Sequence, residues 1–333
     1  MEVSKYFYIE KVENNYAKSL KVPGRENYIK LRLKNVNEGF PIINHDFITR
    51  TCFMPEAYKF IADKAYEIKI RKDDVWVVTY PKSGTTWIQE MLWLIIHNFD
   101  YEQALNVDLT ERSPFLEISG LATNLEINSV GIVEDLKSPR LIKSHMPASF
   151  LPKSIWTVKP KLIYVSRNPK DVCISYYHHW KGMINYKGSK SNFVRAFISD
   201  NMNFGPYWDH VAEFIKLKDQ KNILFLTFEE LKIDLERAIK KCCTFLERSI
   251  DDEQLEKLKT HLSFENMKKN PQVNHSSETR LFKQVAETCH QNETSFEFLR
   301  KGQSGLYEEE LDTDLLKEFE CWIQKMKRKH NLE

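Results

Sequence analysis

No apolar run in this sequence approaches the roughly 20 residues that a membrane-spanning helix needs. The longest, Met91 to Ile96, is far too short. The opening MEVSKYFYIEKVENN scatters charges where a secretory signal would carry an apolar stretch. Neither sign of charge dominates: 49 Lys+Arg against 47 Asp+Glu leaves a formal net charge of +2. That balance argues against a nucleic-acid binder and leaves room for a local basic pocket. Six cysteines (Cys52, Cys173, Cys242, Cys243, Cys289, Cys321) show no CxxC and no metal-ligand spacing. They read as reduced, mostly buried thiols of a cytoplasmic protein, with no metal and no membrane partner expected. No internal repeat, low-complexity segment or Gly/Ser-rich linker interrupts the 333 residues, so one domain is the simplest organisation.

What is present is an alternation of strands and helices. Buried strands are expected over Asp74 to Tyr80, Arg140 to Lys143, Lys161 to Ser166 and Asn222 to Phe228. Helices are expected over Glu56 to Ile70, Thr85 to Phe99, Pro169 to Lys181, Glu229 to Leu246, Asp251 to His261 and Leu311 to Lys329. Asn192 to Leu217 reads as one or two helices interrupted near Gly205-Pro206, and Asn266 to Ser304 as a long loop with short helical pieces. The fold class is therefore α/β, a single domain with a central parallel sheet flanked by helices. Residues 1–40 read as an amino-terminal extension packing on a domain that spans 41–330.

Ligands of such sheets bind at the carboxyl ends of the strands. Pro81-Lys82, His145 and Arg167 each follow a predicted strand. The loop PKSGTTW resembles a phosphate loop, yet its Lys82 precedes Gly84, whereas the nucleotide loop GxxxxGK[ST] puts lysine after the last glycine. Amides at the following helix start favour an anion, and Lys82 adds a full charge. The alternative is a tight turn with capping threonines. Arg167 in SRNPKD offers a fork for phosphate or a surface ion pair. Ser175 lies one turn beyond Asp171 on the same helix face. Arg300 and Lys301 beside Gly302 suit a phosphate or a solvated turn. His145 is placed to be a base near neutral pH, or is a structural histidine.

These elements, in this order, resemble the cytosolic sulfotransferase family. The resemblance covers roughly residues 40 to 327 through TYPKSGTTW, RSPFLE, PRLIKSHMP, VSRNPKDVCISYYHHW, LTFEELKIDL, LSFENMKKNP and FLRKGQSG. It implies a fold related to the P-loop nucleotide kinases and a donor, 3′-phosphoadenosine 5′-phosphosulfate, used without metal. Lys82, Ser83, Gly84, Thr85 and Thr86 would bind the donor's 5′ end, with Trp87 stacking near adenine. Arg167 and Ser175 would hold its 3′-phosphate, and Arg300, Lys301 and Gly302 would complete that site. Phe228, Ser263, Phe264 and Met267 fall at further donor-binding positions. His145 would be the catalytic base, with Lys143 and Lys82 near the transferred group. Phe115 and the stretch from Tyr176 to His179 would lie at the acceptor pocket.

The chain departs from the family pattern in places. Phe228 replaces a usual tyrosine and Leu262 a frequent threonine, so adenine is expected to be held more by stacking and shape. Gly305-Leu306-Tyr307-Glu308 stands where GDWK usually follows RKG. The usual dimer motif KxxxTVxxxE gives way to LYEEELDTDLLKEFE, which leaves monomer and homodimer both open. The expected function is sulfonyl transfer to a hydroxyl or amine of a small, apolar alcohol, phenol or steroid-like acceptor. A sulfonation-driven dehydratase of an allylic alcohol such as retinol is one alternative. A nucleotide kinase is another, although it needs a GK[ST] loop and an acidic metal ligand that the sequence does not offer.

Overall fold

The computed structural model describes residues 4–41, 49–123, 125–274 and 298–332. Strands β1 (Phe7–Val12), β2 (Tyr28–Leu33) and β3 (Cys52–Pro55) form an antiparallel sheet in the order β1-β2-β3. The amino-terminal segment thus pairs directly with residues beyond position 41, and the expected boundary at residue 40 falls inside one sheet.

The second sheet holds β4 (Val75–Thr79), β5 (Leu141–Ser144), β6 (Lys161–Ser166) and β7 (Ile223–Thr227). All its pairings are parallel, in the order β5-β4-β6-β7. All five residues of β4 are buried. Its alternating side chains feed two cores: Val75 and Val77 pack with α1 (Thr85–Ile96), while Trp76 and Val78 pack with α2 (Pro169–Met183) and α4 (Tyr207–Leu217). Helix α3 (Lys190–Ile198) precedes α4. A strand covered on both faces has no polar side, which is why VWVVT reads as an unbroken apolar run. The register pairs Val78 with Ser144, Thr79 with Val165 and Ser166 with Thr227. The strands therefore end level, and Lys82, His145, Arg167 and Phe228 emerge at one edge.

Two expected helices are broken. Glu56 to Ile70 is a 3₁₀ turn, Glu56–Phe60, followed by a short helix, Ala62–Glu67, with Ile61 (φ −115°) between them. Glu229 to Leu246 is divided at Asp234 into α5 (Phe228–Ile233) and α6 (Leu235–Phe245). Asp234 leaves helical geometry and its carboxylate accepts from the Arg237 amide, capping α6. Helices α7 (Asp252–His261), α8 (Phe264–Lys269) and α9 (Thr313–His330) follow. Part of the expected long loop, residues 275–297, lies outside the described residues, as does Cys289. Cys52, Cys173, Cys242 and Cys243 are buried free thiols, and Cys321 is an exposed one. Among the described residues, no helix is long and apolar enough to cross a membrane.

The lower edge of the sheet is fixed by a buried ion pair. Arg140 donates to both carboxylate oxygens of Asp74, at 2.7 and 2.6 Å, and both side chains are almost wholly buried. Its Nη1 donates to the Val133 carbonyl, and Nη2 donates to the Lys69 carbonyl as well as to Asp74. Removing one partner of such a pair leaves the other charge buried and uncompensated. Arg140→Ala is expected to cost about 3–5 kcal/mol of stability, read from urea unfolding. A loss below about 1 kcal/mol, the scale of an exposed pair, would contradict this role.

Candidate active site

The loop after β4 turns through two residues of positive φ, Lys82 (70°) and Gly84 (95°). Position 84 requires glycine twice over, because a Cβ there would lie 2.7 Å from the Phe228 ring. Helix α1 then begins with no side-chain cap on its amides and no acidic residue in its first turn. Its positive end is thus left for an external anion. Thr85 Oγ1 lies 2.7 Å from Thr79 Oγ1, tying the helix start to the strand end. Ser83 Oγ is buried and has no hydrogen-bond partner among the described residues.

His145 follows β5 and is held on every side. Its Nδ1 lies 2.8 Å from the Thr79 carbonyl oxygen. A carbonyl only accepts, so Nδ1 carries the proton and Nε2 keeps its lone pair. The His145 amide donates to Glu117 Oε2 (3.1 Å), whose other oxygen accepts from the Ser144 hydroxyl (2.6 Å). The His145 carbonyl accepts from His210 Nε2 (3.0 Å), and His210 Nδ1 accepts from the Tyr164 hydroxyl (2.9 Å). Burial, reinforced by the nearby Lys143 ammonium, pushes the His145 imidazole well below its ordinary value of 6.5, so it is neutral at pH 7. Burial also holds His210 to about 3 and lifts Glu117 to about 7.

Residues 114–116 run beside β5 as an unpredicted extra edge. The Lys143 amide donates to the Pro114 carbonyl (3.0 Å), and the Leu116 amide to the Lys143 carbonyl (3.0 Å). This places the Phe115 ring edge-on to His145, with centroids 4.8 Å apart, and the Lys143 ammonium 4.4 Å from the same ring. Helix α1 secures the segment from behind. Gln89 donates to the Ser113 carbonyl (3.1 Å), and Arg112 pairs with the buried Glu90 (2.8 Å). Phe204 completes the wall, 5.4 Å from the His145 ring.

Arg167 bridges two loops, donating to the Lys82 carbonyl (3.1 Å) and the Gln303 carbonyl (2.8 Å), and lies 4.2 Å over the Phe228 ring. Its Nε is buried without a partner among the described residues, and burial lowers its pKa. Asp171 at the start of α2 accepts from the Gly305 amide, docking the carboxyl-terminal segment here. Gly302 (φ 60°) lies beneath Phe264, whose ring a Cβ would meet at 2.3 Å. Arg300 pairs with Glu310 at 3.0 Å, and Lys301 sits 3.8 Å from Glu309. Glu310 also holds His178 and Lys190; against the effect of burial, these contacts bring its carboxyl down to about 2. The Trp87 indole donates to the Leu262 carbonyl (2.9 Å) and meets Phe228 edge-on.

One cavity of about 400 Å³ joins these groups. Of the site residues expected from sequence, Ser83 does not line it, nor do Tyr177 and His178 within the expected stretch; Ser175, Tyr176, His179, Ser263 and Met267 do. The Lys82 and Arg167 cations that line it, with the glycine cradle at Gly84, fit a phosphate-bearing ligand. The sequence reading did not single out Thr79, Glu117 or His210. Glu117 carried a signal, as an acid two residues beyond Phe115 in an otherwise apolar stretch. His210 carried another, on the apolar face of α4.

A family model described as "Sulfotransferase domain" matches residues 72–330. The luciferin sulfotransferase of Photinus pyralis is 33% identical over 326 residues, which span 88% of this chain and 85% of that protein. Sulfotransferase 1 family member D1 of Rattus norvegicus is 37% identical over 261 residues, 77% of this chain and 84% of its own. Among solved structures, retinol dehydratase in complex with retinol and PAP is alike in fold. Its TM-score is 0.79 with 96% of each chain covered, at 24% identity. The matched family model runs from just before β4 to the end of α9 and takes in both the loop and His145: the chain belongs to the sulfotransferase family.

Proposed function

We propose that this cavity binds 3′-phosphoadenosine 5′-phosphosulfate and a small apolar acceptor, and transfers the sulfonyl group to the acceptor's hydroxyl. The observation that carries the reading is the 2.8 Å contact between His145 Nδ1 and the Thr79 carbonyl oxygen, which calls for the proton on Nδ1. The Thr79 carbonyl fixes it there, which leaves Nε2 as a base in the same cavity as an uncapped, cationic anion loop. When bound, the donor supplies the sulfonyl group and departs as adenosine 3′,5′-bisphosphate. Lys82, Thr85, Thr86 and the first amides of α1 hold its 5′ end, with Trp87 and Phe228 against the base. Arg167, Ser175, Arg300, Lys301 and Gly302 hold its 3′-phosphate. That phosphate would compete with Glu310 for Arg300.

His145 Nε2 takes the proton of the acceptor hydroxyl as its oxygen bonds to sulfur. The bond from sulfur to the bridging oxygen breaks in line. Lys82, Lys143 and the helix-start amides stabilise the charge that develops. The apolar wall of Phe115 and Phe204 beside His145 suits a flat or alicyclic body. A dehydratase of allylic alcohols would share these steps and differ only in losing the sulfate afterwards, which product analysis distinguishes. We place the protein in the cytoplasm, with small molecules as its partners.

Three outcomes test the assignment. His145→Ala should lower kcat by about 10²–10⁴ while calorimetry finds bisphosphate affinity unchanged; a parallel loss of affinity would contradict a role as base alone. Arg167→Ala should weaken bisphosphate binding by about 10–100-fold, as loss of a charge-assisted contact does; unchanged affinity would remove Arg167 from the donor site. Because His145 is held below 6.5, the acidic limb of kcat/KM that reports loss of the base should lie below that pH. It should do so in the wild type and in Glu117→Gln, which removes the neighbour that titrates near 7. A limb at or above 6.5 in both would show that the imidazole is not neutral as described.

A further inference from the structure

Behind the reactive histidine lies a second buried histidine that the transfer chemistry does not touch. His210 is on α4, is wholly buried and does not line the cavity. Its Nε2 lies 3.0 Å from the His145 carbonyl oxygen, and its Nδ1 lies 2.9 Å from the Tyr164 hydroxyl. A carbonyl only accepts, so Nε2 carries the hydrogen. Burial keeps the ring neutral above about 3, so Nδ1 has a lone pair and accepts from the Tyr164 hydroxyl. The sequence builds this placement from both sides. Phe214, one turn along α4 from His210, stacks on the Tyr164 ring with centroids 3.9 Å apart. The His210 ring also meets Tyr80 edge-on at 5.5 Å, and Tyr80 directly follows the Thr79 carbonyl that holds His145 Nδ1.

His145 stands one residue past the last pair of β4 with β5, Val78 with Ser144. Beyond that point the sheet ladder no longer sets the chain, and side chains must do so. Glu117 accepts from the His145 amide, and His210 donates to its carbonyl. With both main-chain groups of residue 145 bonded, its backbone can turn little, and the direction of its side chain follows. We infer that His210, with its tautomer set by Tyr164, is a positioning residue for sulfonyl transfer: it fixes the peptide that carries His145 and so aims Nε2 at the acceptor hydroxyl. The inference rests on the role of His145 as base proposed above and adds to it a residue outside the cavity.

The test uses the full chain, with 2-naphthol as a flat apolar acceptor. His210→Leu keeps the bulk and removes the donor, whereas His210→Gln keeps an N–H that can reach the His145 carbonyl. His210→Leu should lower kcat about 10–100-fold, the scale of a misplaced reacting group, with KM and calorimetric bisphosphate affinity within about twofold of wild type. His210→Gln should recover most of that loss. Nitrogen-15 NMR reads the same point without turnover. His145 should keep its hydrogen on Nδ1 in the wild type and in His210→Gln, and populate both tautomers in His210→Leu. Thermal unfolding checks that each variant folds. Should His210→Leu not fold, Tyr164→Phe removes one hydroxyl and frees the His210 tautomer; it should lower kcat about 3–10-fold with bisphosphate affinity kept. Unchanged kcat in the folded variants overturns the inference. Equal losses in His210→Gln and His210→Leu, or a fall in bisphosphate affinity that parallels kcat, do so as well. So does a His145 spectrum that is the same in wild type and both His210 variants. Failure of the wild type to bind bisphosphate would sink the donor reading alone, because the NMR comparison needs neither donor nor turnover.

Discussion

The structure turns on the carboxyl end of one strand. Thr79, the last residue of β4, makes three contacts from one position: its hydroxyl meets the Thr85 hydroxyl at the helix start and approaches His145 Nδ1, and its carbonyl accepts the Nδ1 proton. The loop after β4 and the His145 imidazole are thus fixed by the same residue. That residue is held in the middle of a buried parallel sheet whose neighbouring strands end level with it. Moving the strand end would disturb the loop and the tautomer together. Glu117 and His210 add a second constraint by gripping the main chain of His145 from both sides.

The cavity divides electrostatically. The proposed donor end collects Lys82, Arg167, Arg300 and Lys301, and the chain moderates that charge with its own acids, Glu310 above all. The proposed acceptor end is walled by Phe115, Ile118, Leu121 and Phe204. Aromatic rings perform two jobs here. Phe228 and Phe264 sit on Gly84 and Gly302, where no side chain fits, and so shape the backbone that would meet phosphate. Phe115 and Phe204 border the histidine and reduce its contact with water, which helps keep it neutral.

Much of this was legible in the sequence because buried parallel strands read as apolar runs, and a polar residue just after such a run falls at the sheet's functional edge. Lys82, His145 and Arg167 each stand just after such a run, which marks them without any family resemblance. What escaped notice depends on pairings distant in sequence. The edge made by residues 114–116 exists only because β5 lies beside it. The antiparallel sheet joins residues 7–12 and 28–33 to 52–55, and nothing local announces that register. Asp234 broke an expected helix because its carboxylate caps the next one, a choice that periodicity cannot detect. Nothing local in the sequence marks Arg25, which only the fold places against Trp180.

The central claim is that the fold presents His145 as a neutral imidazole protonated on Nδ1. Nitrogen-15 NMR of the histidine side chains, with His145 assigned by its loss in His145→Ala, tests this directly. The account predicts, at pH 7, a neutral ring with its hydrogen on Nδ1 and an unprotonated Nε2. A hydrogen on Nε2, or an imidazolium, would contradict it.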